Sequence, residues 1–178
     1  MKKKINVFDY TNQIMRTLSK GVLLTTKSGN RVNSMTISWG AFGIEWAKPI
    51  FSVYVRQSRF TKKLLEENPE FTINIPLNDY DKKIISFCGT KSGNDVDKIK
   101  EMNLTLVDSE LISVPSIKEF PLTLECKVIY KQLQDKNQIS EEMKVKFYPE
   151  EVSSDFHGAN KDFHTVFYGE IVDAYIIE

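Results

Sequence analysis

Apolar and polar positions along this chain alternate with a period of two far more often than they repeat every third or fourth residue. From 31 to 39, Val32, Ser34, Thr36 and Ser38 fall on one face, and Asn33, Met35, Ile37 and Trp39 on the other. Residues 22–26 form a short β-rich run. Lys27-Ser28-Gly29-Asn30 supplies turn chemistry between the two stretches, which predicts a hairpin. The run 50–55 is nearly continuously apolar, as a strand covered on both faces would be. Before it, Gly40 and Gly43 loosen the chain, and 44–49, ending on Pro49, read as a loop. Residues 71–75, closed by Pro76, give another strand, and 104–107 and 112–117 give weaker ones. The clearest is 122–131, with Leu122, Leu124, Cys126, Val128 and Tyr130 sharing a face. Residues 163–177 read as one long strand with Gly169 as its bend.

Helical periodicity is confined to short segments. Tyr10, Ile14 and Leu18 make one stripe over 6–18, stopped by Lys20-Gly21. Over 56–68, Phe60, Leu64 and Leu65 face a core, and Pro69 ends the segment. Residues 81–87 are helical in pattern. A polar, glycine-punctuated loop then runs from Cys88 to Lys98, with Asp95 as the expected cap of a short helix reaching Met102. The stretch 132–156 is charged and irregular and reads as an insertion or a mobile excursion. About seven strands with helices between them, and no regular βα alternation, imply a mainly β, α+β chain. The expected fold is an antiparallel barrel with peripheral helices in a single domain spanning 1–178. No GxGxxG follows the first strand, which argues against a dinucleotide-binding doubly wound sheet.

Charge changes this picture at one place. Arg56, Arg59, Lys62 and Lys63 precede the first acid of their helix, Glu66. Cations at a helix start oppose the macrodipole. A dianionic phosphate reverses that sign, because free backbone N–H groups, dipole and guanidinium groups all favour it. The plainer alternative is a solvated basic turn. Upstream, the small hydroxyls of 31–39 share a face that admits a planar ring while offering donors and acceptors. Gly89, Gly93, Lys91, Thr90 and Ser92 can cradle an anion, although their spacing is not that of a Walker loop and a plain capped loop is the alternative.

Other chemistries find little support. His157 and His164 are the two histidines, and neither stands at metal-ligand spacing or completes a Ser-His-Asp triad. Difficult chemistry would therefore fall to a cofactor. FMN fits best, with a phosphate for the arginine cluster and a ring for the hydroxyl strand. Backbone N–H groups near 36–38 would then meet the N5 and O4 edge of the flavin. Twenty-four basic residues balance 24 acidic ones, so no whole-chain field favours nucleic acid. Near neutrality instead makes burial of surface in an oligomer reasonable. Lys2-Lys3-Lys4 is followed by Asn6, Asp9 and Asn12 rather than by an apolar region, and the apolar runs are strand-sized, so neither a signal peptide nor a membrane span is expected. Cys88 and Cys126 form no paired motif, so a reduced, cytoplasmic protein is the expectation.

Four motifs in order carry a family likeness. They are Asn33-Ser34-Met35-Thr36-Ile37-Ser38-Trp39-Gly40, then Arg56-Gln57-Ser58-Arg59-Phe60-Thr61, then the stretch from Phe87 to Lys98, and last the stretch from His164 to Glu170. Together they resemble the flavin reductase-like proteins, with the flavoredoxins as the nearest branch. The resemblance implies a split β-barrel that binds FMN non-covalently, usually as a homodimer with flavin near the interface. It implies ring contacts at Met35, Thr36, Ile37, Ser38 and Trp39, beside Asn33, and phosphate contacts at Arg56, Ser58, Arg59 and Thr61. The loop with Thr90, Lys91, Ser92 and Lys98 corresponds to a second cofactor-side loop, in which Asn94 stands where an arginine is usual. His164 matches a histidine near the flavin or nicotinamide; a structural histidine at a strand end is its alternative. The implied activity is hydride transfer from NAD(P)H to bound FMN and onward electron transfer to free flavin or another, unknown acceptor. An electron carrier without a nicotinamide reaction and a flavin-free binding barrel stand as rivals.

Overall fold

The computed structural model describes residues 1–151 and 161–178. The strands are β1 (Lys2–Lys4), β2 (Val22–Ser28), β3 (Arg31–Ile37), β4 (Gly40–Glu45), β5 (Lys48–Arg56), β6 (Glu70–Ile75), β7 (Leu106–Val107), β8 (Ser116–Ile117), β9 (Leu122–Leu133) and β10 (His164–Ile177). The helices are α1 (Thr11–Leu18), α2 (Phe60–Glu67), α3 (Lys82–Thr90), α4 (Lys98–Glu101) and α5 (Glu141–Phe147). Eight strands make one antiparallel sheet in the order β3-β2-β6-β9-β10-β5-β4, with β1 added to the far end of β10. The edge strands β3 and β4 do not pair, so the curled sheet stays open: a split barrel with helices around it.

β10 is what lets one sheet curl this far. It pairs with β9 along most of its length, with β5 over 164–170 and with β1 over 175–177. Its register against β9 shifts between Tyr168 and Gly169 and again between Ile171 and Asp173. A bulge bends a strand and sharpens its twist. Gly169 is required there by close approach, since a Cβ would lie 2.4 Å from the ring of Phe71. Inside the curl, Ile14 from α1 packs with Leu24, Phe51, Phe71, Ile73, Leu124 and Phe167. A second cluster of Leu23, Ile84, Cys88, Leu104, Ile117 and Phe120 lies under α3.

Several expectations need correction. The expected loop over 44–49 is a tight hairpin, for residues 40–45 form β4 and pair with β5 from Lys48 on; the turn residues Trp46 and Ala47 both have positive φ, 50° and 60°. That hairpin lacks the Asn-Gly or Asp-Gly signal such turns normally carry, which hid it. The first helical segment is a 3₁₀ turn over Val7–Tyr10 followed by α1. α3 continues to Thr90, and Asp97, not Asp95, caps α4 by accepting from the Lys100 N–H. Of the weak strands, only Leu106–Val107 and Ser116–Ile117 are paired. The charged stretch after β9 contains a 3₁₀ turn at Lys136–Gln138 and then α5, capped by Ser140; its last residues, 152–156, and His157 lie outside the described residues. β9 is buried on both faces near its start, because Glu125 accepts the N–H groups of Glu110 and Leu111 at 2.7 and 2.8 Å from a distant loop. Among the described residues, no helix is long and apolar enough to cross a membrane and no metal-holding cluster occurs.

Candidate functional site

A cavity of about 280 Å³ opens where the edge strand β3 meets the start of α2 and the loop between α3 and α4. It is lined by Asn33, Met35, Ser58, Arg59, Thr61, Thr90, Lys91, Ser92 and Lys98 among the residues singled out in sequence. Two segments about 30 positions apart from each other are thus brought together with a third. The join is a hydrogen bond from Asn33 Nδ2 to Thr61 Oγ1 at 2.9 Å, with both residues buried. The facing charges are those of Arg59, Lys91, Lys98 and Lys161 against Asp95 and Asp162, four against two, a surplus that suits a dianion.

The loop wall of this cavity is held by contacts that the alternation did not reveal. Gly93 is packed so closely that a Cβ would meet Asn33 Oδ1 at 2.2 Å and the Phe60 ring at 2.6 Å. Arg31 donates to the Gly93 carbonyl and lies over Phe60, 5.2 Å from the ring centroid. Lys98 is almost fully buried, and its Nζ donates to the Cys88 carbonyl at 2.9 Å. Burial lowers its pKa to about 8, with Cys88 acting the other way and Arg59 adding to the drop. A charged ammonium held at this cost in a cavity wall gains from any anion that arrives. Asp162 supplies the opposing feature: its Oδ2 accepts the Ser58 N–H at 2.6 Å, at the entry to α2.

Not every predicted contact reaches this cavity. Arg56 is turned away from it, donating through Nη1 to the Asp162 carbonyl at 2.7 Å and through Nη2 to the Phe147 carbonyl at 2.9 Å. It is 8% exposed and lies 5.0 Å from the Tyr148 ring centroid, so it braces the end of α5 and the approach to β10. Lys62 and Lys63 pair with Glu66 and Glu67 one turn on, at 3.0 and 4.0 Å, and they do not crowd the helix start. Of the hydroxyl face of β3, Ser34 is fully buried against Thr25 Oγ1 at 3.1 Å, and Thr36 donates to the Ile85 carbonyl at 2.6 Å. Those side chains are committed inside the protein. The cavity takes the opposite face, Asn33 and Met35, while Ile37 is core. What β3 offers a ligand along its outer side is backbone: it is an edge strand, paired only with β2, so alternate N–H and C=O groups face away from the sheet.

β3 leads from this cavity to a second, shallower depression. Ser38 and Trp39 line it with Met15, Leu18, Ser19, Gly40, Tyr54 and Gln134. Trp39 is 40% exposed, and its ring lies 5.1 Å from that of Phe147 and 5.2 Å from that of His164. His164 itself is buried, with Nδ1 2.9 Å from the Tyr148 hydroxyl. Burial and then the nearby Arg56 lower its pKa to about 4, Asp162 opposing and Arg59 assisting. A polar, cationic end and an aromatic end are thus joined by about 20 Å of extended chain from 33 to 39, along β3 and just past its end.

Residues 15–178 match the family described as flavin reductase like domain. The chain belongs to that family. Among curated relatives of this flavin reductase-like chain, an uncharacterised protein of Archaeoglobus fulgidus is 35% identical over 97 residues, 54% of each chain. The chain therefore spans about half the length of that relative. Among solved structures, the flavoredoxin of Desulfovibrio vulgaris (Miyazaki F) superposes with a TM-score of 0.65 at 27% identity, covering 89% of this chain and 69% of that one. A flavoredoxin from Methanosarcina acetivorans gives 0.62 at 26%, covering 89% and 68%. The open antiparallel barrel is the architecture that the family likeness implied.

Proposed function

We propose that this chain binds FMN non-covalently, with the phosphate in the cationic cavity at Ser58, Arg59, Thr61 and the Thr90–Lys98 wall, and the rings along β3 toward Trp39. The observation that carries this reading is the bond from Asn33 to Thr61, which makes the ring strand and the phosphate helix one unit. The cavity volume supports the division of labour. At about 280 Å³ it lies just below the usual range for enclosing a whole drug-sized ligand, so it takes the tail and leaves the rings on the strand. Bound flavin would supply hydride and electron chemistry; Arg59 and Lys98 hold its charge, and outward backbone N–H groups of β3 orient its edge.

Hydride would come from NAD(P)H and electrons would pass to free flavin or another acceptor, making the protein a flavin-dependent oxidoreductase. A second reading, an FMN electron carrier with no nicotinamide reaction, is favoured by the two flavoredoxins at more than a quarter identity. Stopped-flow mixing of the FMN-loaded protein with NADH and with NADPH separates them. Bleaching at a catalytic rate supports the oxidoreductase, and its absence with both leaves the carrier. Colourless protein that does not quench added FMN contradicts both.

A homodimer with flavin near the interface fits the open edge of the sheet. β4 is unpaired on one side and leads into Ile44 and Trp46, which are 69% and 61% exposed. Sedimentation at micromolar concentration checks this, and a monomer with FMN bound would contradict it. Two free, buried cysteines suit a reducing, cytoplasmic setting.

A further inference from the structure

The hydrogen bonds around His164 determine which of its ring nitrogens carries the proton. Gln134 Oε1 lies 3.2 Å from the His164 backbone nitrogen, which can only donate, so the amide oxygen is the atom that faces it. The Tyr148 hydroxyl is 2.9 Å from that same Oε1 and must give its single proton there. Its oxygen is also 2.9 Å from His164 Nδ1. With the phenol proton already used, Nδ1 must be the donor. The neutral ring then carries its proton on Nδ1 and a bare lone pair on Nε2. Among the described residues, the side-chain hydrogen bond of His164 is made at Nδ1 and none is made at Nε2.

Tyr148 is held firmly enough to enforce this. Its ring stacks on Phe163 at 4.5 Å and 15°, and the Arg56 guanidinium covers it at 5.0 Å. Arg56 is in turn anchored to the carbonyls of Phe147 and Asp162. A second ring proton is disfavoured by burial and by Arg56 and Arg59, and Asp162 offsets this only in part. His164 therefore stays neutral at pH 7.

We propose that Tyr148 and Gln134 are positioning residues that hold His164 in the Nδ1–H tautomer, so that beside Trp39 its Nε2 accepts a hydrogen bond from an amide-type N–H of the ligand. This rests on the reading that flavin rings lie at the Trp39 end. Two sources carry that chemistry: the imide N–H of the flavin pyrimidine edge and the carboxamide of a nicotinamide. An acid or a cation is not what His164 contributes.

The test is two-bond ¹H–¹⁵N correlation of the histidine side chains in the full chain at pH 7, with His164 assigned by comparison with His157→Gln. The ligand-free protein should show the proton on Nδ1. Gln134→Leu frees the phenol proton for Nδ1, and Tyr148→Phe removes the acceptor, so both should invert the major tautomer to Nε2–H while the backbone spectrum keeps its native dispersion. FMN should then shift the Nε2 resonance of the wild type. If N3-methyl FMN does not, the flavin imide is the donor; if the shift comes only when nicotinamide is added to FMN-loaded protein, the carboxamide is. A wild-type proton on Nε2, or an Nε2 resonance that neither probe moves, overturns the proposal. Loss of flavin binding by fluorescence titration would sink the proposed function while leaving the tautomer result readable on its own.

Discussion

Asn33 donates through Nδ2 to Thr61 Oγ1 at 2.9 Å, a bond between residues 28 positions apart that are 3% and 1% exposed. It fixes the distance from the edge strand to the first turn of α2. Thr61→Val keeps the side-chain shape but leaves the Asn33 amide buried without its acceptor. A stability loss of about 1–3 kcal/mol is expected, together with weaker FMN binding. Urea unfolding should show a lower midpoint with an unchanged slope.

The phosphate end is tested by removing Ser58 and Arg59 side chains together. Each charge-assisted contact contributes roughly 1.5–3 kcal/mol, so the double alanine variant should bind FMN at least about a hundredfold more weakly. Ser58 is exposed and Arg59 only half-buried, so the barrel should stay folded. Thermal melting by circular dichroism checks the fold, and fluorescence titration checks the affinity.

Asp162 presents the opposite expectation. Its carboxylate accepts the Ser58 N–H at 2.6 Å and faces the same cavity as Arg59. An arriving phosphate meets that negative charge and competes for the same N–H. Asp162→Asn keeps the size and the backbone carbonyl bound by Arg56. FMN affinity by calorimetry should rise several-fold, and a fall would show that the carboxylate organises the site instead of opposing the ligand.

Two buried bases set the pH dependence. Lys98, at about 8, loses its proton within an accessible range, and a bound dianion holds that proton on. FMN affinity should therefore decline as pH rises above about 8, with proton uptake on binding there, and Lys98→Met should bind more weakly with no such decline. His164 acts on stability at the other end. The unfolded chain takes up its proton near 6.5, the folded protein only near 4. Folding stability should fall as pH drops from about 6.5 to about 4, and His164→Gln should flatten that part of the profile.

Much of the frame was legible because it is written in local chemistry. Gly29 has φ of +54° at the turn that joins β2 to β3, as the turn residues there predict. Gly169 marks the register shift that bends β10. The cationic cavity was legible in part. Ser58, Arg59, Thr61 and the loop residues do converge, yet Lys62 and Lys63 are ordinary helix pairs and Arg56 faces inward. Sequence reports charge, not the direction in which a long side chain points. The hydroxyl face of β3 shows the same limit: alternation separates two faces, but only tertiary packing decides that Ser34 and Thr36 are spent on Thr25 and Ile85. Arg31, Tyr148 and Gln134 carried no signal at all, because each acts through a partner at least 14 positions away. Ser140 followed by two glutamates was a readable start for α5.

Riboflavin and FMN differ only in the phosphate, and their affinities for the wild-type protein test the central claim most directly. Side-by-side fluorescence titration at pH 7 should give FMN an advantage of about a hundredfold or more, from two charge-assisted contacts. Equal affinities would mean that the cavity at Ser58, Arg59 and Lys98 does not hold a phosphate, and the account built on it would be wrong.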